Sequence, residues 1–592
     1  MKNFLSPMFA LVALMAMNGC TTITIIFTGS DSGPRPMVTG DAGVPMGDGA
    51  IAEVDAGTDA GFPEIGLTVT MAALPNSTVA VRNESFVASV GLELTAHEEG
   101  DVHVRALPVS GRGDIDTFFD IEHLDDVVNS CSLYDGAIRL GDRVTPDATT
   151  GVMLFTGFNL WIRAGSTTAL KVLCTTDTVV SRETGDRYAL GITSAEGIVV
   201  ENDDGDRLAA VIGMSLYTNT TATPFNIVTI VPHGWIAFVA DNLRQSTVLV
   251  AGGDVWQNFA QVRATAILEG ADSDVVRVTS GGDAASFTMI AVAAEGAVLG
   301  TCILPAGANR SCDVHLSSPF HVERDASRIF QLWGKLANVV SSASVGGATT
   351  GVARSGTRVR LGLEAGVTTG DWDVNYAGSI NVRTTGVVSG DRLYVAGTSI
   401  LGNEFVVRRS KPTVTRQTLS TTNIANGTDQ DLYRFQASAD SAGSVGIAGF
   451  RFRMSIAGSG TVSAPRIRRG SSDVTDAVVT FDGPYVIVTF ATEQFITGSG
   501  SVYTLHALVD GFSIGDTIST SFHRDLAGTI ATGYVGPGLT LDTDTASLLT
   551  GFLWSDLSEV PHSSAFRSAG GSMDWTNDVY VEDLTQTQTL TR

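Results

Sequence analysis

Ile162-Arg-Ala-Gly-Ser-Thr-Thr-Ala-Leu170-Lys-Val-Leu173, Val322-Glu-Arg-Asp-Ala-Ser-Arg-Ile-Phe330-Gln-Leu-Trp333 and Ile496-Thr-Gly-Ser-Gly-Ser-Val-Tyr-Thr-Leu505-His-Ala-Leu508 share one pattern. Each is an apolar residue, a small polar turn and a run that alternates apolar and polar side chains. Period-two alternation sends one face of a strand into a core and leaves the other in water. Three copies about one domain apart predict three similar β-domains in tandem.

The flanking sequence repeats in the same order. Val87–Ala96, Phe259–Leu268 and Asp431–Ala439 alternate upstream of the three copies, and Gly185–Ile192, Gly356–Leu363 and Gly515–Phe522 follow them. A hairpin is expected at Cys131–Leu140, with Asp135-Gly136 as its tight turn, and its counterpart around Ala294-Glu-Gly-Ala-Val298. Asp391–Val395 and Asn403–Arg408 read as an extra hairpin before Lys411-Pro412. Proline there marks a boundary, because it disfavours helix in the residue before it and cannot donate to a ladder. Over 592 residues, 65 glycines and 7% aromatics accompany short alternating runs and few helix-period stripes. The expected fold class is therefore all-β, three tandem β-sandwich (immunoglobulin-like) domains at 67–224, 225–410 and 411–592.

The N-terminus carries an address. Lys2 precedes an apolar run, Phe4 to Met17, too short to span a bilayer. Ala16-Met17-Asn18-Gly19-Cys20 resembles the lipobox of bacterial lipoproteins, departing from it at Met17 and Asn18. That resemblance implies a signal peptide over 1–19, lipidation at Cys20 and a membrane partner reached through the acyl chains. Residues 20–66, rich in Gly and Asp, bury too little apolar surface to offset the entropy of ordering, and read as a flexible acidic tether.

The net charge of −25 repels phosphate backbones and argues against a nucleic-acid partner. The four cysteines after Cys20 fall two per domain. In an exported chain this favours the disulfides Cys131–Cys174 and Cys302–Cys312 over the other pairings, the second as a hairpin staple. Glu201, Asp203, Asp204 and Asp206 surround a Gly in an acidic turn. The plain reading is a solvated loop; the sharper one is a structural Ca²⁺ site, because Ca²⁺ takes six to eight hard oxygens. No cofactor is otherwise expected. Arg112-Gly113-Asp114 is placed in a loop and His523-Arg524-Asp525-Leu526 copies a kinase fragment without its companions; both are chance matches. Trp235, Trp256, Trp372 and Trp575 are candidates for sugar stacking, against the commoner role of core plugs.

The unit order, Leu133-Tyr-Asp-Gly-Ala137, Val406-Val-Arg-Arg-Ser-Lys-Pro412 and the terminal Trp554-Ser-Asp, Pro561-His-Ser and Asp574-Trp-Thr-Asn resemble the tandem β-sandwich modules of surface lipoproteins from candidate-phyla (Patescibacteria) bacteria. The resemblance implies an envelope location with an S-layer-like or adhesin-like role, and brings no catalytic residues. With no nucleophile elbow and no His pair at metal spacing, the chain is expected not to be an enzyme. The expected function is a structural surface lipoprotein, an S-layer or coat subunit that self-associates. The alternative is an adhesin or carbohydrate-binding protein that takes a surface glycan or protein.

Overall fold

In the computed structural model, the described residues are 64–72, 79–114, 124–177, 186–213, 227–241, 248–252, 254–305, 310–340, 351–363, 381–396, 398–524, 551–559, 574–576, 581, 584 and 586–592. The expected signal peptide and Cys20 lie outside them, as does nearly all of the tether. The fold is all-β, with strands stacked as sandwiches around three separate cores. These run from Leu67 to Ile230, from Ile236 to Val407 and from Val414 to Leu590.

The three modules share one plan. In the first, one layer has the strand order Arg207–Ile212, Ile65–Ala72, Val87–Ala96, Thr167–Thr176, Val128–Asp135, Ile138–Val144. In the second it reads Tyr394–Ala396, Trp235–Ala240, Gln257–Ile267, Ser327–Leu336, Phe287–Ala294, Ala297–Cys302. In the third it reads Pro412–Arg416, Thr428–Ala439, Ser501–Asp510, Thr461–Arg469, Ser472–Asp473. The facing layers are built on Val102–Asp114, Ala271–Gly282 and Val445–Ala457. In the first module the hairpin of Val199–Glu201 with Arg207–Ile212 joins both layers into one continuous sheet.

Each repeated stretch is a crossing from one layer to the other. Ile162, Val322 and Ile496 end strands of one layer and are buried. The chain then turns, with Ser166 N donating to Arg163 O (2.9 Å), Ala326 N to Glu323 O (3.1 Å) and Gly500 N to Thr497 O (3.0 Å). The strand after the turn pairs in the opposite layer, Thr95 opposite Thr167, Thr265 opposite Ser327 and Ala437 opposite Ser501. Alternation sets the inward set: Leu170, Val172 and Cys174; Phe330 and Leu332; Tyr503, Leu505, Ala507 and Val509. Each large aliphatic among them contributes about 1.5–3 kcal/mol by leaving water. The third copy departs from simple alternation, because His506 on its outer side is also fully buried.

A second shared device closes each module. A short segment after the first strand runs parallel to the last strand of the facing layer. The pairs are Val79–Val81 with Val228–Val231, Val248–Val250 with Phe405–Arg408, and an Asn423 bridge to Thr591. The first pair corrects the expected boundary at 224/225. Val228 and Ile230 point into the first core, so that module extends to Val231.

Two turn assignments also change. Asp135 pairs with Ile138, so the hairpin turns on Gly136 and Ala137 rather than on Asp135-Gly136. Its counterpart turns on Glu295-Gly296, both with positive φ (52° and 81°), the backbone that matches the twist of paired strands. The expected hairpin of 391–395 with 403–408 does not form. Tyr394–Ala396 joins the layer of Trp235–Ala240, whereas Phe405–Arg408 joins that of Arg358–Leu363. Two alternating runs close in sequence satisfy hairpin and sandwich alike, and the core between the layers takes both inward faces.

Glu269 pins the turn between Val382–Gly386 and Tyr394–Ala396. Almost fully buried, its carboxylate accepts Gly234 N (2.7 Å), Val388 N (3.0 Å), Ser389 N (2.9 Å) and Ser389 Oγ (2.9 Å). Glu269→Ala strands these donors, and a buried donor without a partner costs about 1–3 kcal/mol. The urea midpoint is expected to fall accordingly with the slope unchanged.

Candidate functional site

The densest buried polar constellation lies where the second module meets the third. It assembles from stretches far apart in sequence, Phe405–Arg408 with the residues after it, Ser355, Phe552–Ser555 with Asp556, and Asp574 with Trp575–Thr576. Arg408 ends the last strand of the second core and is fully buried. Its Nη1 donates to Ser355 Oγ (3.0 Å), its Nη2 to Trp575 O (3.5 Å), and its guanidinium lies 5.7 Å from the centre of the Trp554 ring. Ser355 Oγ donates onward to Asp556 Oδ2 (2.6 Å). The same oxygen accepts Arg409 N (2.7 Å), while Oδ1 accepts Ser558 N (3.2 Å) and Ser558 Oγ (2.7 Å). Behind it Ser555 Oγ donates to Asp574 Oδ2 (2.7 Å), and Asp556 N to Asp574 O (3.2 Å).

The electrostatics of this joint are those of a charge taken out of water and then compensated. Burial pushes the Asp556 carboxyl above its ordinary range, against the Arg408 charge and the hydrogen bonds from Ser355, Ser558 and Arg409 N, which pull it down. Such a constellation can lock two modules in one register. The phrases Val406–Pro412, Trp554-Ser-Asp556 and Asp574-Trp575 are thus the parts of one joint, which separate sequence motifs could not disclose. The first joint is lighter: Glu84 pairs with Arg324, Arg82 with Asp391, and Asn83 Nδ2 donates to Val388 O (3.3 Å).

The residues singled out from sequence are dispersed. Cys131–Cys174 and Cys302–Cys312 are both disulfide-bonded. The first joins directly opposed residues of neighbouring strands in the core. The second links Ala297–Cys302 to Ser311–Val322, strands of opposite layers, and so crosses the sandwich rather than stapling a hairpin.

The acidic turn at 201–206 does not gather its carboxylates. Asn202 Oδ1 holds the turn by accepting Asp204 N (3.0 Å) and Asp206 N (2.7 Å). Glu201 instead accepts Arg105 Nε at 2.5 Å. Asp203, Asp204 and Asp206 carry exposed side chains, so the carboxylates expected to converge are spent on a salt bridge and on water. Among the described residues no three His, Cys, Asp or Glu side chains group closely enough to hold a metal ion.

Arg112-Gly113-Asp114 is not a loop. It lies in the strand Val102–Asp114, paired with Arg187, Tyr188 and Ala189. His523 stacks edge-on against Tyr485, and the rest of that motif lies outside the described residues from 525 on. Of the candidate tryptophans, Trp575 is buried in the joint, Trp256 carries Lys335 Nζ 4.7 Å above its ring, Trp235 is partly exposed, and Trp372 lies outside the described residues.

The third module pairs a buried His with a carboxylate, which no sequence motif marks. His506 Nε2 lies 3.0 Å from Asp473 Oδ1, and burial holds the imidazole below its ordinary pKa. Asp473 is shared with Arg466 and Arg468, and His506 Nδ1 has no hydrogen-bond partner among the described residues. Among the described residues no hydroxyl or thiol is hydrogen-bonded to this imidazole. The pair caps the outer face of the third module's repeated strand, which explains why that strand departs from alternation.

No family model and no curated protein matches the chain. Among solved structures it is similar to a partial N-terminal region of an enterococcal surface protein at 6% identity. That match covers 59% of this chain and 97% of the other, with a TM-score of 0.14. A Salmonella alpha-2-macroglobulin mutant matches at 9% identity over 90% of this chain and 30% of the other, with a TM-score of 0.12. At such TM-scores neither likeness bears on function.

Proposed function

We propose that this chain is an exported, non-catalytic surface lipoprotein that serves the envelope as a structural element, an S-layer or coat subunit anchored through Cys20. The buried Arg408–Ser355–Asp556 joint carries the reading. A coat subunit must hold its domains in fixed register, and a fully buried guanidinium and carboxylate tied through one hydroxyl do so at the boundary of two cores. The two disulfides support an oxidising compartment. The acidic surface suits assembly bridged by divalent cations bound between molecules.

The test is electron microscopy of the purified full-length protein with and without Ca²⁺. Ordered arrays in either condition are expected, and dispersed monomers in both overturn the coat reading. A second reading, a carbohydrate-binding adhesin, is favoured by an exposed indole on the first module, at Trp161, which is 48% exposed.

A further inference from the structure

Among the described residues the strand Leu160–Ile162 pairs only with Val102–Asp114, at an edge of its layer. Leu160 and Ile162 point into the core, while Asn159, Trp161 and Arg163 are exposed on the opposite side. Trp161 lies directly opposite His103, and the two rings stack with centroids 4.5 Å apart and planes within 7°. One face of the indole is therefore taken by a buried imidazole, and the other is open.

The imidazole is itself backed. His103 Nδ1 lies 3.8 Å from Glu201 Oε2, and that oxygen accepts Arg105 Nε at 2.5 Å. Arg105, Glu201, His103 and Trp161 thus form a chain of contacts across three strands that fixes the plane of one exposed ring. An isolated surface indole would lose rotamer freedom on binding, whereas this one has already lost it. Beside it, neither the Asn159 amide nor the Arg163 guanidinium makes a side-chain hydrogen bond or ion pair among the described residues. The backbone of Arg163 is fixed by the turn that its carbonyl closes with Ser166 N.

We infer that Asn159, Trp161 and Arg163 form a subsite for an acidic hexopyranose, a uronate unit of a surface polysaccharide. This rests on the carbohydrate-binding reading above and gives it a place and a sugar class. The apolar C–H face of a pyranose fits a fixed, open aromatic face. Its hydroxyls suit the donors and acceptor of a carboxamide. A guanidinium free of an internal partner matches a sugar carboxylate in planar, two-point geometry. The choice of an acid over a neutral sugar comes from Arg163, an uncommitted cation in a chain with 62 acidic and 37 basic side chains. A protein partner fits less well, because one ring flanked by polar groups is not a contiguous apolar patch.

The test uses the full-length protein, a glycan array, and calorimetric titration with a galacturonate hexamer and a neutral galactose hexamer. Wild type is expected to bind the uronate at least tenfold more tightly than the neutral chain. Trp161→Ala should weaken both at least tenfold, and Trp161→Phe should keep binding within about threefold, since the stacking face survives. Arg163→Gln should erase the preference for uronate and leave the neutral affinity unchanged. Thermal midpoints of Trp161→Phe and Arg163→Gln should match wild type, whereas Trp161→Ala, which gives up the stack on His103, should lower it by no more than a few degrees. If wild type binds no glycan on the array, the carbohydrate reading fails as a whole. Glycan binding that survives Trp161→Ala leaves that reading standing and overturns this subsite. Equal affinity for the two hexamers overturns the uronate assignment.

Discussion

Asp556→Ala is expected to destabilise the protein by about 3–5 kcal/mol, the range for removing one partner of a buried charge pair. The reason is what remains. Arg408 stays fully buried, Ser355 Oγ loses its acceptor and Arg409 N loses the carboxylate it donates to. Asp556→Asn, which keeps an acceptor oxygen, should lose clearly less. Arg408→Met combined with Asp556→Leu should recover part of the loss, since an apolar pair leaves no stranded charge.

The pH dependence has a definite sign. Because the folded carboxyl is held above its ordinary value of 3.8, the folded protein keeps this proton longer than the unfolded chain. The stability contributed by Asp556 is therefore fully present below 3.8 and declines as pH rises through the raised value. The stability of wild type relative to Asp556→Asn should fall across that interval. Chemical denaturation at a series of pH values checks both statements. A loss below about 1 kcal/mol for the alanine variant would remove the joint as a determinant of stability.

The paired substitution Cys131→Ala with Cys174→Ala is expected to cost about 4 kcal/mol, from a sequence separation of 43 residues and the loop-closure entropy of the unfolded chain. Alanine avoids placing a hydroxyl at two positions that are almost fully buried. Cys302→Ala with Cys312→Ala removes a bond that spans a sequence separation of only 10 and should cost about 3 kcal/mol. Urea titration of both double variants tests the ordering. A larger loss at the shorter loop would mean that the crossing between layers, and not the entropy of the unfolded chain, sets the value.

What could be read from sequence follows the physics of each signal. Alternation depends on neighbours in the chain, so the three turn-and-strand repeats and the strands on either side are legible in the sequence, although the crossing between layers is not. Pairing partners depend on which layer a strand joins, and alternation is silent on that. This is why 391–395 and 403–408 looked like a hairpin and why Arg112-Gly113-Asp114 looked like a loop. The cysteine pairs were legible from their count per domain, but the crossing geometry of Cys302–Cys312 was not. The acidic turn misled because composition counts carboxylates without saying where they point, and Glu201 points at Arg105. In the sequence Asp556 and Asp574 stand out only as parts of the terminal Trp-Ser-Asp and Asp-Trp-Thr-Asn phrases. Their burial needs Ser355 and Arg408, each well over a hundred residues upstream of them, and no local pattern announces that. Trp161 sits one residue before the first quoted stretch, and its stacked partner His103 lies in another segment, so no local pattern marks it.

The parallel pairs that close the modules have a mechanical corollary. In the first module Val79–Val81 sits near the entry of the chain and Val228–Val231 at its exit; in the second, Val248–Val250 and Phe405–Arg408 do the same. Tension applied along the chain would drag the two members of each pair in opposite directions along their own axes. The bonds between them would then be loaded together, in shear, instead of peeling apart one after another. A protein tethered at one end and pulled at the other would meet its first resistance at these short clamps, ahead of the larger sheets behind them.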